Sequence, residues 1–129
     1  MLHLVSMGNP HAVIFVKEIA EAPVESIGSA LQTDPHFPER VNVGFAQVLD
    51  PHHVKLRVYE RGVGETEACG SGACAAMVAG VRQGLLQTPV TITLPGGDLI
   101  VDWEGDGTPV FLEGEAELVY DGNIQMGDD

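Results

Sequence analysis

The chain has 129 residues and a mass of 13.7 kDa, enough for one domain with a real core and too little for two. With 44% hydrophobic and 19% charged residues it lies outside the disordered and low-complexity classes. Its formal net charge of −13, spread along the chain, repels phosphate backbones and anionic lipid, so neither nucleic acid nor membrane is an expected partner.

Residues 2–7 and 12–17 are short, apolar and rich in β-branched side chains, with the turn signal Gly8-Asn9-Pro10 between them, and read as two strands. Pro23 opens a segment in which Val24, Ile27, Ala30 and Leu31 recur at helical spacing until Pro35, which predicts a short surface helix. Residues 41–49 and 54–60 are two further strands joined across Asp50-Pro51-His52-His53. After residue 86, the runs 90–94, 99–103, 110–112 and 115–120, punctuated by Pro95-Gly96-Gly97 and Gly105-Asp106-Gly107, make a meander of four.

Between the two sets of strands, residues 70–86 carry hardly a polar side chain before Arg82. A helix apolar on every face must be buried on every face. The expected fold is therefore α+β: an antiparallel or mixed β-barrel of about eight strands wrapped around one central buried helix, with a second helix outside. No repeat or linker divides the chain, so residues 1–129 are expected to form a single domain.

The segment 59–75, YERGVGETEACGSGACA, concentrates the chemistry. Gly70-Ser71-Gly72 opens the buried helix, where backbone N–H groups lack intrahelical partners and the helix dipole places positive charge. Small residues there either admit a carboxylate or phosphate, or simply let the helix start close to a strand; spacing alone leaves both open. Cys69 sits just before this start, where free amides are expected to lower its pKa and make it a base or nucleophile. The plainer alternative is a small buried hydrophobe, the reading adopted for Cys74 inside the helix. Cys69 and Cys74, five apart on a helix, point to different faces and are poorly placed for a disulfide. Their spacing does not suit structural zinc either, so no metal is expected. Free thiols, with no signal-peptide pattern at residues 1–7 and no run of roughly 18 apolar residues, fit a cytoplasmic location. Partners for a reactive thiol are available in Asn9, His11, Asn42, Glu60, Arg61, Glu65 and Glu67 near strand ends. A Cys–His pair suits either nucleophilic catalysis or proton transfer. A lone His in a turn such as His11 is, from composition alone, more often a solvated or capping residue.

Five spaced motifs, GNPHAVIF (8–15), FPERVNVGFAQV (37–48), the segment 57–75, LPGGDLIVDW (94–103) and LVYDG (118–122), resemble the C-terminal half of the diaminopimelate epimerase family. The resemblance covers nearly the whole chain, in order. It implies an isomerase that interconverts LL- and meso-diaminopimelate without pyridoxal phosphate or metal, in lysine and peptidoglycan precursor biosynthesis. It further implies two cysteines acting on opposite faces of the α-carbon, of which Cys69 is the second-half member. By the same resemblance, Gly70 and Ser71 present amides to the α-carboxylate, and Asn9, Asn42, Glu60 and Arg61 hold the distal groups. His11 and Glu60 tune the cysteines, and Tyr120 lies at a homodimer contact. A first half with its own cysteine has no counterpart in these residues, so this chain alone is expected to be inactive. Two rival readings are half of a proline or hydroxyproline racemase-like enzyme, and a non-catalytic binding or assembly domain with an inert Cys69.

Overall fold

The computed structural model describes residues 2–113, 118–120 and 125–126, with side chains over 2–113. Strands β1 (His3–Ser6) and β2 (Pro10–Phe15) form an antiparallel hairpin in which His3 faces Val13 and Ser6 faces Pro10. The turn between them passes through Gly8 at φ +91, a conformation that glycine adopts without Cβ strain. A 3-10 turn (Ile19–Glu21) and helix α1 (Val24–Gln32) then carry the chain to β3 (Asn42–Asp50), which runs parallel to β2 with His11 beside Asn42. β4 (His53–Glu60) folds back antiparallel on β3, and Asp50 tightens that corner by accepting the His52 N–H at 2.8 Å. The short β5 (Gly64–Thr66) pairs with β4, off the main strand path, after which α2 (Gly70–Arg82) crosses to β6 (Val90–Leu94), parallel to β4. A meander of β7 (Gly97–Trp103), β8 (Val110–Glu113) and β9 (Leu118–Tyr120) completes this side, and β10 (Gln125–Met126) pairs with β1.

Along the mixed sheet the order is β10-β1-β2-β3-β4-β6-β7-β8-β9. Each helix is thus the crossover between two parallel neighbours. α1 covers one face, over Ala12, Val41, Val43 and Phe45. α2 occupies the other, against Val13, Ala46, Leu56, Val58, Ile92 and Val101, and touches strands from β1 to β4 as well as β7 and β8. Covered on both faces, β3 is buried continuously from residue 42 to 46, which explains its small and apolar run from Val43 to Ala46. Every residue of α2 from Gly72 to Gly80 is buried, in keeping with its lack of polar side chains.

The α+β class and the mixed sheet agree with expectation, and several details differ. The sheet is an open half-barrel, whose described strand path ends at β9 and β10. Its ten described strands exceed the eight expected, because the polar GET of β5 and the two-residue β10 carry no apolar alternation. α2 stops at Arg82 and the chain turns away through Gly84 at φ +76. Residues 115–117 of the last expected strand lie outside the described residues. Among the described residues no helix is long and apolar enough to cross a membrane.

Candidate active site

Alternation along the strands decides which side chains meet. His11 shares a face with Val13, Asn42 with Ala46, and Glu60 with Val58 and Leu56, all on the α2 side of the sheet. The starts of β2 and β3 and the end of β4 lie together by register, and the first turn of α2 comes down beside them. A Cβ placed on Gly72 would stand 3.1 Å from Val58 Cγ2 and 3.1 Å from Cys69 Sγ, so a side chain there would press the helix start away from β4 and the thiol by a few tenths of an ångström.

Cys69 is the N-cap of α2, in extended conformation at φ −151, ψ 102. Its Sγ accepts the Gly72 N–H at 3.3 Å and lies 3.7 Å from Ser71 Oγ, while its own carbonyl accepts the Ala73 N–H. The thiol thus takes the place of the Ser or Asp oxygen common at this position. The expected depressed pKa is not what the structure gives. Cys69 is only 6% exposed, and burial pushes its thiol above the ordinary cysteine range; the hydrogen bonds from Ser71 and Gly72 pull the other way, and the Glu60 carboxylate beside it pushes up again. Burial and the Glu60 carboxylate outweigh the amides at the helix end. Cys69 is therefore a thiol at neutral pH in this chain. Cys74, fully buried, is pushed up to about 12 by burial and by Cys69.

His11 is buried, and its Nε2 lies 3.1 Å from Asn9 Oδ1. Burial, aided by the Arg61 charge, lowers its pKa from 6.5 to about 4, so the imidazole is neutral at pH 7. It is neither solvated nor a cap. Asn42, also buried, spends both ends of its amide on backbone: Nδ2 donates to the Pro10 carbonyl at 3.2 Å, and Oδ1 accepts the Arg61 N–H at 3.0 Å. Arg61 Nη1 donates to the Glu39 carbonyl at 3.3 Å. Glu65, by contrast, is drawn away by β5 into a two-pronged pair with Arg57 at 2.7 Å for each bond. The structure therefore gathers Asn9, His11, Asn42, Glu60, Arg61, Cys69, Gly70 and Ser71 at one end of the α2 face. Tyr120 ends β9, and its side chain lies outside the described residues. Among the described residues no group of three or more His, Cys, Asp or Glu is placed to hold a metal ion.

Two further contributors complete the site. Gly72 donates its amide to the thiol, which the three-residue spacing of an N-cap bond signals. The Glu39 carbonyl, which holds the Arg61 guanidinium, left no signal because any residue has a carbonyl.

The mixed half-barrel sheet with its two crossover helices is a fold shared with known structures. The PhzF-family phenazine biosynthesis protein of Enterococcus faecalis superimposes with a TM-score of 0.64 at 16% identity, over 87% of this chain and 44% of that one. A probable proline racemase from Agrobacterium radiobacter gives 0.55 at 17% identity, over 87% and 41%. These place the chain in a class of fold. Its sequence goes further: residues 3–119 match the diaminopimelate epimerase family, and the chain belongs to that family of isomerases. It is 58% identical over 125 residues to diaminopimelate epimerase of Pseudomonas paraeruginosa and 54% identical to that of Ectopseudomonas mendocina. Both alignments cover 97% of this chain and 45% of the relative, so the chain spans about half the length of the curated relatives it matches.

Proposed function

We propose that this chain supplies half of the active site of a cofactor-independent diaminopimelate epimerase, interconverting the LL- and meso-isomers by proton transfer between two thiols. The observation that carries this reading is the Cys69 thiol, capping α2 beside Glu60, with Asn9, His11, Asn42 and Arg61 gathered at the adjoining strand ends. In one direction a thiolate from the other half takes the α-proton and forms its S–H bond. The Cys69 S–H then breaks, and its proton goes to the opposite face of the carbanion-like carbon. In the reverse direction the roles exchange. The raised pKa of Cys69 suits the donor role, because the proton is in place when substrate arrives.

The amides at Gly70 and Ser71, in the first turn of α2, fit the α-carboxylate, whose charge must be balanced as the carbanion forms. Arg61 and Glu60 fit the distal carboxylate and ammonium, with Asn9 at the same end, while Asn42 contributes by fixing the Arg61 backbone. Neutral His11 and the side chain of Glu60 set the electrostatic surroundings of the thiols. The same reading places the enzyme in lysine and peptidoglycan precursor biosynthesis in the cytoplasm, as a homodimer with Tyr120 at the contact. The test uses the complete epimerase containing this chain, incubated in deuterium oxide with LL-diaminopimelate or L-proline. Deuterium uptake with inversion of diaminopimelate, a KM raised by Arg61→Ala, and no reaction of proline are expected. Turnover of proline in place of diaminopimelate would overturn the reading in favour of a proline racemase-like enzyme.

A further inference from the structure

Gln32 is the last residue of α1, a position where a glutamine ordinarily meets solvent. Here its Nε2 donates to the Val41 carbonyl at 2.7 Å and to the Gly28 carbonyl at 2.9 Å, and its Oε1 accepts the Val41 N–H at 3.2 Å. One side-chain amide thus pairs with both backbone groups of a fully buried residue, as a neighbouring strand would. It closes the base of segment 33–41, which turns through the bonds from Phe37 N–H to the Asp34 carbonyl and from Arg40 N–H to the Phe37 carbonyl. Arg40 is held there at φ +69, a conformation that a residue with a Cβ keeps only where its surroundings impose it.

What this closed segment holds is Arg61. The Glu39 carbonyl takes its Nη1 and the Asn42 side chain takes its backbone N–H, and both residues lie within two positions of Val41. A guanidinium has five donors in a fixed plane, so fixing one donor and the backbone sets the direction of those that remain. We propose that Gln32 is a positioning residue for substrate selection: by clamping Val41 it aims the Arg61 guanidinium, and so favours a substrate with a second carboxylate at its far end. The proposal rests on the assignment of Arg61 to that distal carboxylate.

The test is a double-mutant cycle in the complete epimerase, with kcat and KM for LL-diaminopimelate measured for Gln32→Ala, Arg61→Ala and the pair. Gln32→Ala should raise KM by about tenfold with kcat nearly unchanged, and in the pair its effect should vanish, because no guanidinium remains to be aimed. Gln32→Met keeps the bulk and removes the amide; it should behave like Gln32→Ala, and it serves should the alanine variant fail to fold. An unchanged KM for the Gln32 variants, or a Gln32 effect that persists in full beside Arg61→Ala, overturns the proposal; the second result would mark Gln32 as structural only. An unchanged KM for Arg61→Ala itself would overturn the distal-carboxylate assignment instead, and the proposal would fall with it.

Discussion

Acid should destabilise this protein through its buried histidine, His11. In the unfolded chain the imidazole titrates near 6.5, and in the fold burial and the Arg61 charge lower it to about 4. Between these values the unfolded state binds the extra proton, so stability rises with pH and is lost as pH falls from about 6.5 to about 4. Each pH unit across this window is worth about 1.4 kcal/mol, so the full loss is about 3 kcal/mol, of which about 2 kcal/mol falls between pH 7 and pH 5. At 2% exposure the side chain has little solvent to screen this cost. Urea unfolding of the wild type and of His11→Gln at pH 7, 6 and 5 isolates the effect, since all other groups titrate in both. The variant should lose about 2 kcal/mol less than the wild type across that range, whatever its stability at pH 7. Equal pH slopes for the two proteins would refute a buried, neutral His11.

Alkylation should find both thiols slow at pH 7, with Cys69 ahead of Cys74 and its rate still rising at pH 9; mass spectrometry of iodoacetamide-treated protein reads both, and a fast, pH-independent Cys69 would contradict the raised pKa. Gly28→Ala should destabilise by about 1–3 kcal/mol despite a gain of about 1 kcal/mol in helix propensity, because the new Cβ falls against the Tyr59 ring; a rise in Tm would contradict that packing. The Arg57–Glu65 pair, each side chain partly exposed, should show a coupling of about 0.5–1 kcal/mol in a double-mutant cycle that fades in high salt.

The burial of α2 was legible because an unbroken apolar run from Ala73 to Val81 has no surface to occupy, and its start was legible because Gly-Ser-Gly follows a cysteine. The alternating strands at Val54, Leu56 and Val58 were legible for the same reason: period two meets a single buried face. β5 was not, since Gly64-Glu65-Thr66 is polar and gains its pairing from β4 and its anchor from Arg57, seven to nine residues upstream. The clamp of Gln32 on Val41 was hidden because a glutamine nine positions from its partner bonds to backbone, which leaves no trace in residue type. The pKa of Cys69 was misjudged for a related reason. The amides that lower it are local and readable, whereas the burial and the Glu60 carboxylate that outweigh them come from tertiary packing.

The most direct test of the central claim, that Cys69 moves the α-proton of diaminopimelate, is inversion by Cys69→Ser in the complete epimerase. A serine hydroxyl is a far weaker acid than a thiol, so it cannot supply or take the proton on that face at a comparable rate. Inversion of LL- to meso-diaminopimelate should fall by at least about a hundredfold, with the thermal unfolding transition retained. Near-normal inversion by the folded serine variant would contradict the assignment and leave Cys69 as no more than the cap of its helix.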